Sequence, residues 1–231
     1  MDSITTAGSS QDTIPLHLLR LVSQGLPVGG FSYSRGLEAA VHAGWISGEA
    51  AARDWILGTL RANVAQLDGA LFWRMATALE AGDRKRFRAV NAWLAAGRES
   101  RELQREDRRQ GEALLRLLTD LDVPTVREEQ GQAFTYTAAF ALACHHWRIA
   151  PEAALKGFLW VYVEGQVTAA IKLVPLGQTA GQRLLIEAVT AIEEAAARSR
   201  SLRDDEVGNL APALALASAW HETQYSRLFQ S

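Results

Sequence analysis

The chain has 231 residues, 48% of them hydrophobic, enough for one core of useful size or two small ones. Its 24 basic and 26 acidic residues give a formal charge of −2, so no basic excess is available for phosphates and nucleic acid is a poor partner. The single cysteine, Cys144, excludes an intramolecular disulfide framework and fits a reducing compartment.

Residues 1–14 are polar, with neither a positive n-region nor an apolar h-region. They are expected to form a flexible arm rather than a signal peptide. No apolar run approaches the ~18 residues of a membrane span, and a soluble, cytoplasmic protein is expected. Alanine and leucine dominate, β-branched residues are sparse, and strand alternation is hard to find. The pattern predicts an all-α, single-domain bundle of about nine or ten helices over 15–220, followed by a tail at 221–231.

The first helix is expected at 15–24 and the second at 35–43. Between them, Leu26-Pro27-Val28-Gly29-Gly30-Phe31-Ser32-Tyr33-Ser34 is too apolar for a loop that merely crosses the surface. Pro27 disfavours helix at Leu26. Gly29 and Gly30 permit positive φ or close approach. Ser34 is placed to cap the next helix, with Gly36 beside it and Glu38 in its first turn. The segment reads as a buried, glycine-hinged turn between packed helices. Gly44 ends the second helix, and Ser47 caps a third over 48–66. Asp68-Gly69 breaks or kinks the pattern before a helix over 70–81. Gly82 closes that helix and Asp83 opens another carrying Phe87, Val90, Trp93 and Leu94.

Arg98 to Glu112 is dense in both charges. Arg98–Glu102 and Arg108–Glu112 at i,i+4, with Glu102–Arg105 at i,i+3, suggest a solvated helix face over an inner side of Leu103, Leu114, Leu117 and Leu118. A binding face is the alternative. Leu121-Asp122-Val123-Pro124 reads as a turn, followed by a helix over 129–147. Pro151 at N1 starts a helix whose positions 155, 158, 159, 162, 163, 166, 169 and 170 form one stripe, including the polar Gln166. Pro175 and Gly177 stop it. A helix over 178–199, a polar loop over 199–209 and a last helix from Pro212 complete the pattern.

Few residues suggest chemistry. Cys144-His145-His146 is the one cluster of soft ligands, but adjacent helical residues point about 100° apart and cannot all face one metal. Gly177-Gln178-Thr179-Ala180-Gly181-Gln182 lacks the Lys-Ser/Thr of a phosphate loop and follows a helix. Lys172 stands among apolar neighbours, either snorkelling from a helix end or meeting a partner's carboxylate. In the tail, Tyr225, Leu228 and Phe229 at i, i+3, i+4 suit a short amphipathic turn docked on its own domain or in a partner's groove. Arg227 there offers bidentate pairing with a carboxylate. A rival reading is a helical ligand-binding protein or metal-dependent enzyme with a site between helices, using Glu164, Gln166 and His145.

Three blocks in this order resemble the urease accessory protein family UreF: residues 26–38, Lys172-Leu173-Val174-Pro175-Leu176-Gly177-Gln178, and His221-Glu222-Thr223-Gln224-Tyr225-Ser226-Arg227-Leu228-Phe229. Arg98-Glu99-Ser100-Arg101-Glu102-Leu103 supports them. The resemblance implies a non-enzymatic, homodimeric scaffold in urease maturation. It would link UreD (also called UreH) to the GTPase UreG on apo-urease and assist nickel delivery to the urease active site. Nickel and GTP would be handled by partners, with no catalytic residue, tightly bound cofactor or fixed metal site here. The resemblance makes Lys172, Pro175, Gly177 and Gln178 candidates for the GTPase-facing surface. It makes His221, Glu222, Tyr225, Arg227, Leu228 and Phe229 candidates for a tail that orders with UreD. Arg35 and Gln230 depart from the family pattern, which often has Gln or His at the first position and a basic residue at the second.

Overall fold

The structure is a computed structural model that describes residues 15–127, 129 and 131–231. The expected N-terminal arm, 1–14, lies outside the described residues apart from its boundary. The α-helices are α1 (Leu16–Leu21), α2 (Leu37–His42), α3 (Glu49–Thr59), α4 (Ala70–Glu80), α5 (Arg84–Ala96), α6 (Arg101–Asp120), α7 (Pro124–Arg127), α8 (Tyr136–His146), α9 (Pro151–Leu173), α10 (Gln178–Ser201) and α11 (Pro212–His221). No strand occurs among the described residues.

Helix boundaries follow local chemistry where a side chain can satisfy a free amide. Asp83 accepts from the Arg86 amide, Ser100 from that of Leu103 and Thr135 from that of Ala138, so α5, α6 and α8 begin where their caps stand. Pro151 and Pro212 open α9 and α11, where a missing N–H costs nothing. α2 is shorter than expected, because Arg35 and Gly36 both have positive φ. The Ser34 hydroxyl still accepts from the Glu38 amide, at 3.2 Å. Gly48, rather than Ser47, stands at the N-cap of α3.

Of the break or kink expected at Asp68-Gly69, the break does not occur. A π-helical segment, Leu60–Gly69, joins α3 to α4, leaving ten rods rather than eleven. A π turn frees carbonyls from the usual ladder. Here Ala65 O accepts from the Ser199 hydroxyl (2.8 Å), while Gln66 O and Ala62 O accept from the amides of Gly208 and Leu210. Gly69 is needed because a Cβ there would lie 2.4 Å from Ser199 Oγ.

α9 runs through the middle of the bundle and packs on α10, the π segment, α4, α3, α2 and α8. Its predicted stripe holds: Leu155, Phe158, Leu159, Tyr162, Val163, Gln166, Ala169 and Ala170 are all buried. Phe158 stacks on Phe72 at 5.6 Å and meets Phe140 edge-on at 5.8 Å, which fixes α9, α4 and α8 against one another.

Two helical expectations hold only in part, for one reason. The helix predicted over 129–147 starts only at Tyr136, and the charged run that begins at Arg98 is solvated on one side only, at Arg101, Arg105, Arg108, Arg109 and Glu112. Asn91 takes the Ala133 carbonyl and the Thr135 amide, and Asp107 takes the Tyr136 amide (2.9 Å). These side chains bind backbone groups that a longer helix would use itself. Arg98, Glu102, Glu106, Asp107 and Gln110 are buried. Of the expected local pairs, Arg108–Glu112 forms at 2.9 Å. Arg98 and Glu102 instead pair with distant residues. α10 likewise continues to Ser201, beyond the expected loop start, because Ser199 packs into the core.

The close approach of α6 to this extended stretch requires Gly111, whose Cβ would lie 2.3 Å from Phe134 O and 2.9 Å from the Thr135 carbonyl carbon. Neither is the end of a flexible side chain. Gly111→Ala is expected to lower stability by about 2–3 kcal/mol through forced backbone displacement, despite alanine's better helix propensity. A urea-denaturation midpoint checks it; a gain in stability would contradict the packing described.

Candidate partner-binding site

The segment at 26–38 builds a floor. Leu26 and Tyr33 are buried, while Pro27 and Phe31 are exposed. Gly29, at φ +72°, starts a short 3-10 turn over Gly30–Ser32, and Gly36, at φ +81°, starts α2. A Cβ on Gly36 would lie 3.2 Å from Ser218 N and 3.3 Å from Ala217 Cβ, so the glycine also lets α11 close onto the turn. This path places Ser34 and Glu38 beneath the end of the chain.

The tail lies on its own domain. Ser231 O accepts from the Ser34 amide (2.8 Å) and hydroxyl (2.5 Å), and the Gln230 amide donates to Ser32 O (2.8 Å). Glu38 accepts from the Leu228 amide at 2.6 Å and the Phe229 amide at 2.8 Å. From α6, Glu102 accepts from Arg227 Nη1 at 2.7 Å and Glu106 from the Ser231 hydroxyl at 2.8 Å. His221, fully buried, has Nδ1 2.6 Å from Glu102 and Nε2 3.3 Å from Glu38. Three buried carboxylates thus hold His221, Arg227, Leu228, Phe229 and Ser231.

Beneath them lies an ion network. Arg98 gives two bonds to Asp68 (2.6 and 3.0 Å) and one to Asp107 (2.8 Å), tying the π segment to α6. Arg35 lies 3.3 Å from Glu106. Burial pushes the Glu106 carboxyl above its usual range, with Arg35 and the Ser231 hydroxyl opposing that shift only in part. A raised carboxyl contributes most stability below its unfolded value of 4.5 and loses it as pH rises through the folded value. Glu106→Gln is therefore expected to flatten the fall in urea midpoint with pH above about 4.5. A parallel fall in variant and parent would contradict this.

The residues singled out in sequence fall into two neighbouring groups. Lys172, in the last turn of α9, places Nζ 5.7 Å from the centre of the Phe229 ring. Pro175, Gly177 and Gln178 follow it, all exposed. His221 and Phe229 face inward, Glu222 accepts from the Arg101 amide at 2.8 Å, and Arg227 reaches a carboxylate through one nitrogen rather than the expected two, because its other two donors go to the Gln224 and Glu222 carbonyls. The expected amphipathic turn does not form. The tail is not helical, and Tyr225 and Leu228 point outward at 104% and 65% exposure. Backbone donors held by Glu38 replace the helical bonds such a turn needs. The proposed trio Glu164, Gln166 and His145 is not brought together: Gln166 lines a cavity against α6 and α8, and His145 another beside Glu80 and Pro151. Cys144 is buried, and its thiol is pushed up by burial, away from nucleophilic character. No group of three His, Cys, Asp or Glu side chains suited to a metal occurs among the described residues.

Sequence reasoning missed Glu102, Glu106, Asp68, Asp107 and Ser231. A signal existed for two of them: residues 102, 106 and 110 repeat at four-residue steps alongside Leu103, Leu114 and Leu118, so they share the inner side of α6.

The UreF family model matches residues 46–189. The chain belongs to the UreF family of urease accessory proteins. The matched span lies between the 26–38 turn and the tail, but full-length relatives extend the likeness across both. The urease accessory protein UreF 2 of Brucella anthropi is 57% identical over 217 residues, 94% of this chain and 96% of its own. UreF of Alkalilimnicola ehrlichii is 46% identical over 93% of this chain and 94% of its own. UreF of a Marinomonas species is 41% identical over the whole of both. No helix among the described residues of this UreF-family chain is long and apolar enough to cross a membrane.

Proposed function

We propose that this UreF-family chain is a cytoplasmic, homodimeric, non-enzymatic scaffold that joins UreD/UreH to the GTPase UreG on apo-urease and so assists nickel delivery. The observation that carries this reading is the tail's two-sided character. Donors of Arg227, Leu228, Phe229 and Ser231 are held by Glu38, Glu102 and Glu106, while the side chains of Tyr225 and Leu228 are turned outward and exposed. An aromatic and an aliphatic side chain presented by a fixed backbone suit a protein partner, because their ordering is already complete before association. Lys172 and the Pro175–Gln178 loop stand beside this surface, across Phe229. Two partners could therefore meet on adjoining patches. Membership of a urease accessory family supports seeking those partners among the proteins of urease maturation.

The test is co-purification of the full chain with UreD and UreG, alongside a Tyr225→Ala/Leu228→Ala double variant, with urease activation as readout. The two side chains are exposed, so their removal leaves the fold intact. Loss of UreD from the complex with loss of activation supports the scaffold reading. Unchanged assembly by the variant, or activation without the chain, overturns it.

A further inference from the structure

Behind the tail seat, between the 26–38 turn, α6, α8 and α9, lies a cavity of about 90 Å3. Four buried polar atoms on residues lining it have no hydrogen-bond partner among the described residues: Arg35 Nε, Thr137 Oγ1, Tyr162 OH and Gln166 Oε1. Arg35 Nε lies at ion-pair distance from Glu106 but is not aligned to donate to it. The Tyr162 hydroxyl has Thr59 nearby without hydrogen-bonding geometry. Thr137 and Gln166 are 1% and 2% exposed, so bulk solvent does not serve them. A buried polar group left unpaired is costly, and four around one cavity point to a ligand.

We infer that this cavity is a built hydration site, filled by a few ordered waters that are part of the folded protein. The volume exceeds that of one water several-fold. The chemistry of the wall selects the occupant. Gln166 Oε1 only accepts, Arg35 Nε only donates, and the two hydroxyls do both. Water matches that mixture. A cation does not, because the carboxylates here are already engaged. Asp68 gives both oxygens to Arg98, Asp107 gives its oxygens to Arg98 and the Tyr136 amide, and Glu106 receives Gln110 and Ser231. An anion would meet three carboxylates, and an apolar molecule would leave all four atoms unpaired.

The water supports the tail seat from inside. Gln166 gives its Nε2 to Ser34 O at 3.0 Å, and Ser34 holds Ser231. Arg35 leans on Glu106, which takes the Ser231 hydroxyl. Waters on Gln166 Oε1 and Arg35 Nε orient both supports. This inference concerns the folded chain alone and does not depend on which partners it meets.

Thr137→Val provides a test by sign. If water occupies the cavity, the variant removes a bond that water makes, and Tm is expected to fall by about 2–4 °C. If the cavity is dry, the same change removes an orphaned hydroxyl, and Tm rises or stays put, which overturns the inference. A crystal structure of the unsubstituted full chain gives an independent reading. Ordered water within hydrogen-bond distance of Gln166 Oε1 and Thr137 Oγ1 supports the site. An empty cavity, or xenon taken up there under pressure, overturns it.

Discussion

Replacing Arg98 with alanine is expected to cost this protein about 3–5 kcal/mol, the loss typical of breaking a buried ion pair from one side. Asp68 and Asp107 are 1% and 5% exposed, and both rely on this guanidinium. Removing it strands two like charges in the interior. Arg98→Lys is expected to rescue only part of the loss, because an ammonium cannot give the planar fork to Asp68 and a further bond to Asp107 together. The sign of the pH dependence follows from Asp68. Burial pushes its carboxyl up, but the charge and hydrogen bonds of Arg98 outweigh that and leave it below the ordinary value of 3.8. A depressed carboxyl contributes stability above its unfolded value and loses it as pH falls through the folded one. The parent should therefore begin to lose this contribution as pH falls below about 3.8. In Arg98→Ala the carboxyl moves up, and the variant's stability should no longer fall over that acid window. Urea midpoints between pH 3 and 7 check both statements, and a loss below about 1 kcal/mol would show that the network is not what joins the π segment to α6.

The same network explains why the bundle was easier to read than its site. α9 announces itself through eight inward positions at helical spacing, and Gln166 within that stripe was legible as a buried polar residue. Residues 98–112 carry the same periodicity, but their charges favour a solvated reading, since charged residues are seldom fully buried unless paired. What buries them is pairing across 30 residues to Asp68 and 119 to His221, and helical spacing says nothing about such distances. The π segment was hidden for a related reason. Its freed carbonyls are taken by Ser199 and by the backbone at 208 and 210, far along the chain. In the tail, Phe229 packs on its own domain while Tyr225 stays exposed, so aromatic content alone did not give the arrangement. The tail's conformation depended on acceptors from α2 and α6 that no local pattern contains.

Glu38→Ala should unseat the tail while leaving the bundle folded. The carboxylate accepts from two successive amides, of Leu228 and Phe229, and also faces His221 and the Gln224 side chain. Hydrogen bonds to a charged group contribute about 1.5–3 kcal/mol each, so losing the pair should weaken the seated state by about 3 kcal/mol. That is roughly a 100-fold change in the local opening equilibrium. Amide hydrogen exchange at Leu228 and Phe229 should accelerate by that factor, while exchange in α9 should change little. Phe229 buries its ring in this seat, so its release would expose apolar surface and make 222–231 a preferred site for proteolysis. Glu112→Ala is the matched control, since Glu112 is exposed and, among the described residues, pairs only with Arg108 beside it. If Leu228 and Phe229 remain protected without Glu38, the remaining bonds to Ser34, Glu102 and Glu106 suffice, and the seat is held from the α6 side. If they open and UreD binding falls with them, the fixed presentation of Tyr225 and Leu228 is what the partner recognises. Retained UreD binding with an open tail would instead mean that the partner folds these residues onto itself, paying the ordering entropy that Glu38 otherwise removes beforehand.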